Sequence, residues 1–103
     1  MIDLQRYYML LAISAKEMHG VGVQEQVLHD SRSTLNMRYN VVYRLLHDLE
    51  CRQYIEPAGA QAGLGGPGGL RQLYRLTKTG RGVLQAQSAN LGDTARLAKM
   101  RLP

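Results

Sequence analysis

From Asn36 to Glu50 the chain reads NMRYNVVYRLLHDLE. Val42, Leu45, Leu46 and Leu49 fall at i, i+3, i+4 and i+7, which gives a helix one apolar face. With Asn40 at zero and about 100° per residue, Arg44, His47, Asn36 and Tyr43 lie within roughly 60° of it, nearly opposite that face. A helix that buries one side and offers Asn, Arg, Tyr and His on the other suits the base edges of a major groove. Tyr54-Ile55-Glu56 follows, then a glycine-rich tract from Ala58 to Gly69, then LRQLYRL at 70–76. That order describes a β-hairpin with a long tip. A reading helix followed directly by a hairpin predicts a winged helix-turn-helix.

Working outward, the segment before this helix supplies two more. The first helix is expected over about Leu4 to Lys16, with Leu4, Tyr7, Tyr8 and Leu11 on one stripe and Leu10 and Ile13 broadening it. Apolar coverage that wide suits burial by the chain's own core and by a second subunit. The glycines in Met18-His19-Gly20-Val21-Gly22 end that helix and allow tight entry into a second, about Val21 to His29. Asp30 to Thr34 is a polar turn, and Asn36 is the expected N-cap of the third helix. Beyond the hairpin, Thr77 is the expected cap of a last helix. Its residues Leu84, Ser88, Leu91, Ala95, Ala98 and Leu102 repeat with the spacing of a heptad seam.

The fold class expected is therefore mainly α with a small β-hairpin, a winged helix-turn-helix with an added C-terminal dimerisation helix. Residues 1–76 form the DNA-binding part, with the recognition helix at about 36–52 and the wing at about 54–76. Residues 77–103 form the dimerisation helix. At 103 residues the chain is one modest core. Its net charge of +5 is unevenly placed. Residues 1–50 carry five Lys/Arg against six Asp/Glu, whereas residues 51–103 carry eight against two. The basic half holds the wing and the last helix, which fits a polyanionic partner. All six aromatic residues are Tyr, so each buried ring brings a hydroxyl needing a partner. A single cysteine, Cys51, excludes an internal disulfide and suits a reducing compartment. The longest apolar stretch, Tyr7 to Ala15, is far short of the ~20 residues that cross a bilayer. A cytoplasmic protein with no membrane association is expected.

Three blocks in this order resemble the PadR family of winged-helix transcriptional regulators. Met18-His19-Gly20 resembles the family's turn between the first two helices. Val42-Tyr43, then Leu46, Leu49 and Glu50, resembles its recognition-helix pattern, with Ile55 where the wing begins. Tyr74-Arg75-Leu76-Thr77, then Gly80-Arg81, resembles the second wing strand and the start of the last helix. The sequence departs from the pattern at Asn40, at Arg44 and at Gln53, which stands where a glycine commonly ends the recognition helix. No enzyme and no cofactor are expected. The resemblance implies a homodimer on a pseudo-palindromic operator, usually a repressor, sometimes released by a small hydrophobic or phenolic effector.

Arg44 and Asn40 are the expected base contacts, since Arg pairs bidentately with guanine and Asn with adenine. Asn36 and His47 share their face, and Tyr43 is placed at the groove edge. Ser33, Thr34 and Arg38, in or near the preceding turn, can donate to phosphate. Arg38 joins them only if the helix starts after it. Arg71 and Arg75 share one face of the second wing strand, Arg71 nearer the tip. The dimer interface is expected at Leu4, Tyr7, Tyr8 and Leu11 together with Leu84, Leu91, Ala95, Ala98 and Leu102. His47 and Cys51, at i and i+4, are two soft ligands where a metal site needs more, so no metal is expected. No nucleophile–base constellation is visible. Two other uses of such a fold are open at this point: a plasmid or phage replication or partition protein, and a protein-interaction module.

Overall fold

The computed structural model describes residues 1–62 and 70–101. Four helices and one hairpin follow in the order α1 (Leu4–Ala15), α2 (Gly20–Asp30), α3 (Tyr39–Cys51), β1 (Ile55–Ala62), β2 (Leu70–Leu76) and α4 (Lys78–Arg101). The mainly helical winged helix-turn-helix expected from the hydrophobic pattern is the fold observed. Among the described residues no helix is long and apolar enough to cross a membrane.

The core gathers one face of each of α1, α2 and α3, with Met9, Leu10, Val23, Val27, Val42, Leu46, Leu49 and Ile55 its largest fully buried side chains. On α1 the buried residues are Met9, Leu10, Ala12 and Ile13. The stripe expected at Leu4, Tyr7, Tyr8 and Leu11 lies beside that face rather than on it. Leu4 is 54% exposed, and the other three pack partly buried against the core. The first turn of α1 is closed by Asp3, whose carboxylate accepts from the Arg6 amide at 3.0 Å.

The third helix starts three residues later than Asn36. Its N-cap is Arg38, in extended conformation, with no side-chain capping bond. Tertiary burial explains the delay. Met37 is buried, its carbonyl accepts from the Gln24 side-chain amide at 2.6 Å, and the Leu35 amide donates to Ser31 Oγ at 3.0 Å. These bonds hold residues 35–37 out of the helix so that Met37 can enter the core.

The other end of α3 closes in a Schellman motif. The Tyr54 amide donates to the Leu49 carbonyl at 3.0 Å and the Gln53 amide to the Glu50 carbonyl at 2.9 Å. Gln53 sits at φ 62°, the left-handed conformation that glycine takes freely.

The hairpin pairs β1 and β2 antiparallel, Ile55 with Leu76 and Ala62 with Leu70, with a register shift between Pro57 and Ala60. Gly59, at φ 109°, makes that bulge possible. The strand thus runs through Ala58–Ala62, which the sequence had placed in the loop. The rest of that tract, 63–69, lies outside the described residues. Met18 makes an isolated antiparallel bridge to β2. It exchanges backbone hydrogen bonds of 3.1 and 2.8 Å with Tyr74, so β2 is flanked on both sides.

Helix α4 begins as Thr77 implies. The Thr77 hydroxyl oxygen accepts from the Gly80 amide at 3.0 Å and its proton goes to the Gln53 carbonyl at 2.5 Å. The Thr77 amide donates to the Tyr54 carbonyl at 3.1 Å. A Cβ on Gly80 would stand 1.9 Å from the Tyr54 carbonyl oxygen, so this helix start can abut the end of α3 only because residue 80 is glycine.

Candidate nucleic-acid interface

Helix α3 divides its residues as the 3.6-residue period requires. Val42, Leu45, Leu46 and Leu49 are buried, while Asn40, Tyr43, Arg44 and His47 are exposed on the other side. Asn36 is exposed too, but it precedes the helix and so leaves the face on which helical phase had put it. The later start brings Arg38 to the mouth of α3, exposed and extended, next to first-turn amides that no side chain caps. Ser33 and Thr34 are exposed in the preceding turn, where Arg32 and Ser33 both hold positive φ, 51° and 66°. Orphan amides, hydroxyls and a guanidinium at a helix N-terminus suit an anionic oxygen.

Tyr43 has two surroundings. Its ring lies over the start of α2, where a Cβ on Gly20 would stand 3.0 Å from the ring, yet the residue is 51% exposed. The glycine of the Met-His-Gly turn and the tyrosine of the recognition-helix pattern are thus two halves of one contact. His19 of the same turn caps α2, its Nδ1 accepting from the Gly22 amide at 3.2 Å. Below Tyr43, the hydroxyl of half-buried Tyr74 is held protonated to higher pH than usual by burial, and then by the nearby Glu50 and Tyr43.

On the wing, Arg71 and Arg75 occupy β2 opposite Gln61 and Glu56. Arg75 makes a half-exposed cross-strand pair, Nε to Glu56 Oε1 at 3.0 Å. Arg71 is partly buried.

The residues expected at a dimer interface separate into two groups. Leu84 is buried in the chain's own core, and the Tyr7 hydroxyl lies 2.9 Å from Ser88 Oγ, so this half of the seam closes the monomer. Gln87, buried beside them, holds Ile2 by both backbone groups, at 3.0 and 2.9 Å. From Leu91 onward the described side chains of α4 are exposed apart from Gly92, and Leu91, Leu97 and Met100 are 37%, 48% and 81% exposed. Ala98 is exposed on the same stretch. The Ala95 side chain and Leu102 lie outside the described residues. The pattern missed Leu97 and Met100 because they stand off the heptad seam.

His47 and Cys51 do meet, Sγ to Nε2 at 3.6 Å, at the exposed end of α3. Among the described residues no three His, Cys, Asp or Glu side chains gather to hold a metal ion.

Residues 9–86 match the family model described as the transcriptional regulator PadR-like family. No curated protein matches the chain. Among solved structures, a PadR family transcription regulator from Clostridium difficile R20291 is similar at 19% identity and a TM-score of 0.78, covering 98% of this chain and 100% of that one. A transcriptional regulator from Clostridium thermocellum is similar at 14% identity and a TM-score of 0.73, over the whole of both chains. Bacillus subtilis PadR, solved in complex with operator DNA, is similar at 17% identity and a TM-score of 0.68, over 82% of this chain and 46% of that one. At such identities the structures establish a shared fold, and the family model, matching most of the chain, establishes the kinship. The chain belongs to the PadR-like family of transcriptional regulators.

Proposed function

We propose that the protein is a homodimeric repressor that reads a pseudo-palindromic operator, with Asn40 and Arg44 as its base contacts. The observation that carries this is the exposed polar face of α3, with an uncapped N-terminus leading into it and a hairpin behind it. Ser33, Thr34, Asn36 and Arg38 would meet phosphate around that N-terminus, where a DNA oxygen supplies the cap that no side chain gives. Tyr43 and His47 flank the two base readers, and Arg71 is the wing's contact. The operator DNA bound to Bacillus subtilis PadR supports the operator-binding part of this reading.

Dimerisation is supported by the second half of α4. A bare helix bearing Leu91, Ala98, Leu97 and Met100 leaves apolar surface that a second copy would cover. Leu4, exposed on α1, is the other contributor, with Tyr8 and Leu11 half-buried beside it. For a small hydrophobic or phenolic effector, the candidate place is a cleft of about 370 Å³ at the base of α4, lined by Ile2, Arg52, Tyr54, Val83 and Gln87.

Selection of duplexes from a random pool tests the reading. The expected product is a two-fold symmetric site with half-sites about one helical turn, roughly 34 Å, apart, bound with affinity that falls steeply with salt. Repeated sites loaded cooperatively would instead indicate a replication or partition role. No salt-sensitive binding to any duplex would leave a protein-interaction module.

A further inference from the structure

Arg6 and Asp48 lie outside every motif named above, yet they form a direct polar link between α1 and the reading helix. Arg6 Nε donates to Asp48 Oδ2 at 2.8 Å, and the same oxygen accepts from Arg52 Nε at 2.9 Å. Arg6 is steadied from its other end by Asp3, Nη1 to Oδ2 at 2.7 Å. Two cations and two anions thus balance in one network. The Arg6 and Asp48 side chains are only 22% and 33% exposed, so salt screens them less than a fully exposed pair. The Arg6 hydrogen bond, aided by the Arg52 charge, holds the Asp48 carboxyl below the usual carboxylate range.

What this link joins gives it meaning. Asp48 is in the last turn of α3, one turn beyond Arg44. Arg6 adjoins Tyr7, whose hydroxyl meets Ser88 on α4. Two neighbouring residues of α1 therefore make polar contacts to the reading helix and to α4. An exposed or half-exposed ion pair contributes little to global stability. Its geometric effect is different, because the Arg6 guanidinium, held on α1 by Asp3, reaches a carboxylate on α3 and so ties the two helices directly.

We propose that Arg6–Asp48 is a positioning strut that holds each reading helix at a set angle to the α1–α4 unit, and thereby sets the half-site spacing the dimer accepts. The proposal rests on the homodimeric reader described above. Asp48→Asn and Arg6→Gln cut the strut from either end, whereas Arg52→Gln removes only the pair within α3.

Two readouts test it. The first compares the selected two-fold site with the same site carrying one extra central base pair, which shifts the half-sites by about 3.4 Å and turns them by about 35°. Asp48→Asn and Arg6→Gln should each lower the wild-type preference for the shorter site at least threefold. Their affinity for an isolated half-site should stay within twofold of wild type, and Arg52→Gln should keep the preference. The double variant should be no worse than either single one, the mark of two residues acting through one contact. The second readout needs no DNA. Cys51, the chain's one cysteine and exposed at the end of α3, takes a spin label, and the distance between labels of the two protomers is recorded. Its distribution should broaden about twofold in both strut variants and not in Arg52→Gln. A distribution unchanged in both variants overturns the proposal, as does a wild type that gives no distance between protomers. An equal loss on half-site and full site also overturns it, because the pair would then be an ordinary stability contact. If the labels behave as predicted but the wild type binds no duplex, the strut stands and the operator reading falls.

Discussion

Replacing Gly80 with Ala should unfold this protein at a much lower temperature, although helix propensity alone argues the reverse. In a helix interior Ala is favoured over Gly by up to about 1 kcal/mol. At this position, however, the new methyl would stand 1.9 Å from the Tyr54 carbonyl oxygen, a backbone atom that cannot swing away. The start of α4 and the end of α3 must part by about 1 Å or more to restore van der Waals contact. That separation breaks the Thr77 amide bond to Tyr54 and the Thr77 hydroxyl bond to Gln53, and it loosens the cap on the Gly80 amide. Two hydrogen bonds at about 1 kcal/mol each and a weakened cap of similar size, less the propensity gain, leave a net loss of roughly 2–3 kcal/mol. For a domain of this size that is a fall of roughly 10–20 °C in Tm. Gly82→Ala is the internal control. Nothing lies within 4 Å of its added Cβ, so propensity should prevail there and Tm should hold or rise. Both are read by circular dichroism melts at one protein concentration. A Gly80→Ala protein as stable as Gly82→Ala would refute the reasoning.

Other expectations follow from particular residues. Gln53→Gly relieves a left-handed conformation at φ 62° and should gain up to about 1 kcal/mol in urea unfolding; a loss would mean the glutamine side chain makes contacts that outweigh its strain. Leu91→Asp places a charge on the apolar overhang of α4 and should yield folded monomers in sedimentation; a protein that stays dimeric would move the interface elsewhere. Asp48 has a depressed folded-state pKa, so its contribution is present above the unfolded carboxylate value near 3.8 and is lost as pH falls through the lower folded value. The stability gap between wild type and Asp48→Asn should therefore be flat above about pH 5 and close in acid, and a gap independent of pH would show that the charge is immaterial.

How much of this was legible in the sequence depends on the range of the forces involved. The two faces of α3 follow from periodicity because burial sorts residues every 3.6 positions, and Thr77 was legible as a cap because capping is local. The start of α3 was not, since Gln24 and the burial of Met37 hold the chain extended there from outside the helix. The reach of β1 to Ala62 was hidden by its small residues and the Gly59 bulge, which carry no alternating pattern. The heptad seam on α4 mixed two roles. Leu84 and Ser88 close the monomer and Leu91 faces outward, a division set by where the core ends and not by spacing. Gly20 and Gly80 were visible as motif glycines, but their reasons, the Tyr43 ring and the Tyr54 carbonyl, lie on other elements. Arg6 and Asp48, 42 positions apart in the chain, had no local signal.

The central claim is that the exposed face of α3 reads bases, and Arg44→Ala tests it most directly. Wild type and variant are titrated against the selected duplex and a scrambled one of equal length at matched salt. A bidentate contact to one base accounts for about 1–3 kcal/mol of discrimination, so the variant should lose roughly 5- to 150-fold on the selected site and little on the scrambled one. Equal losses on both would make Arg44 a phosphate contact. No loss on either would contradict the account, because this face of α3 would then lie away from the DNA.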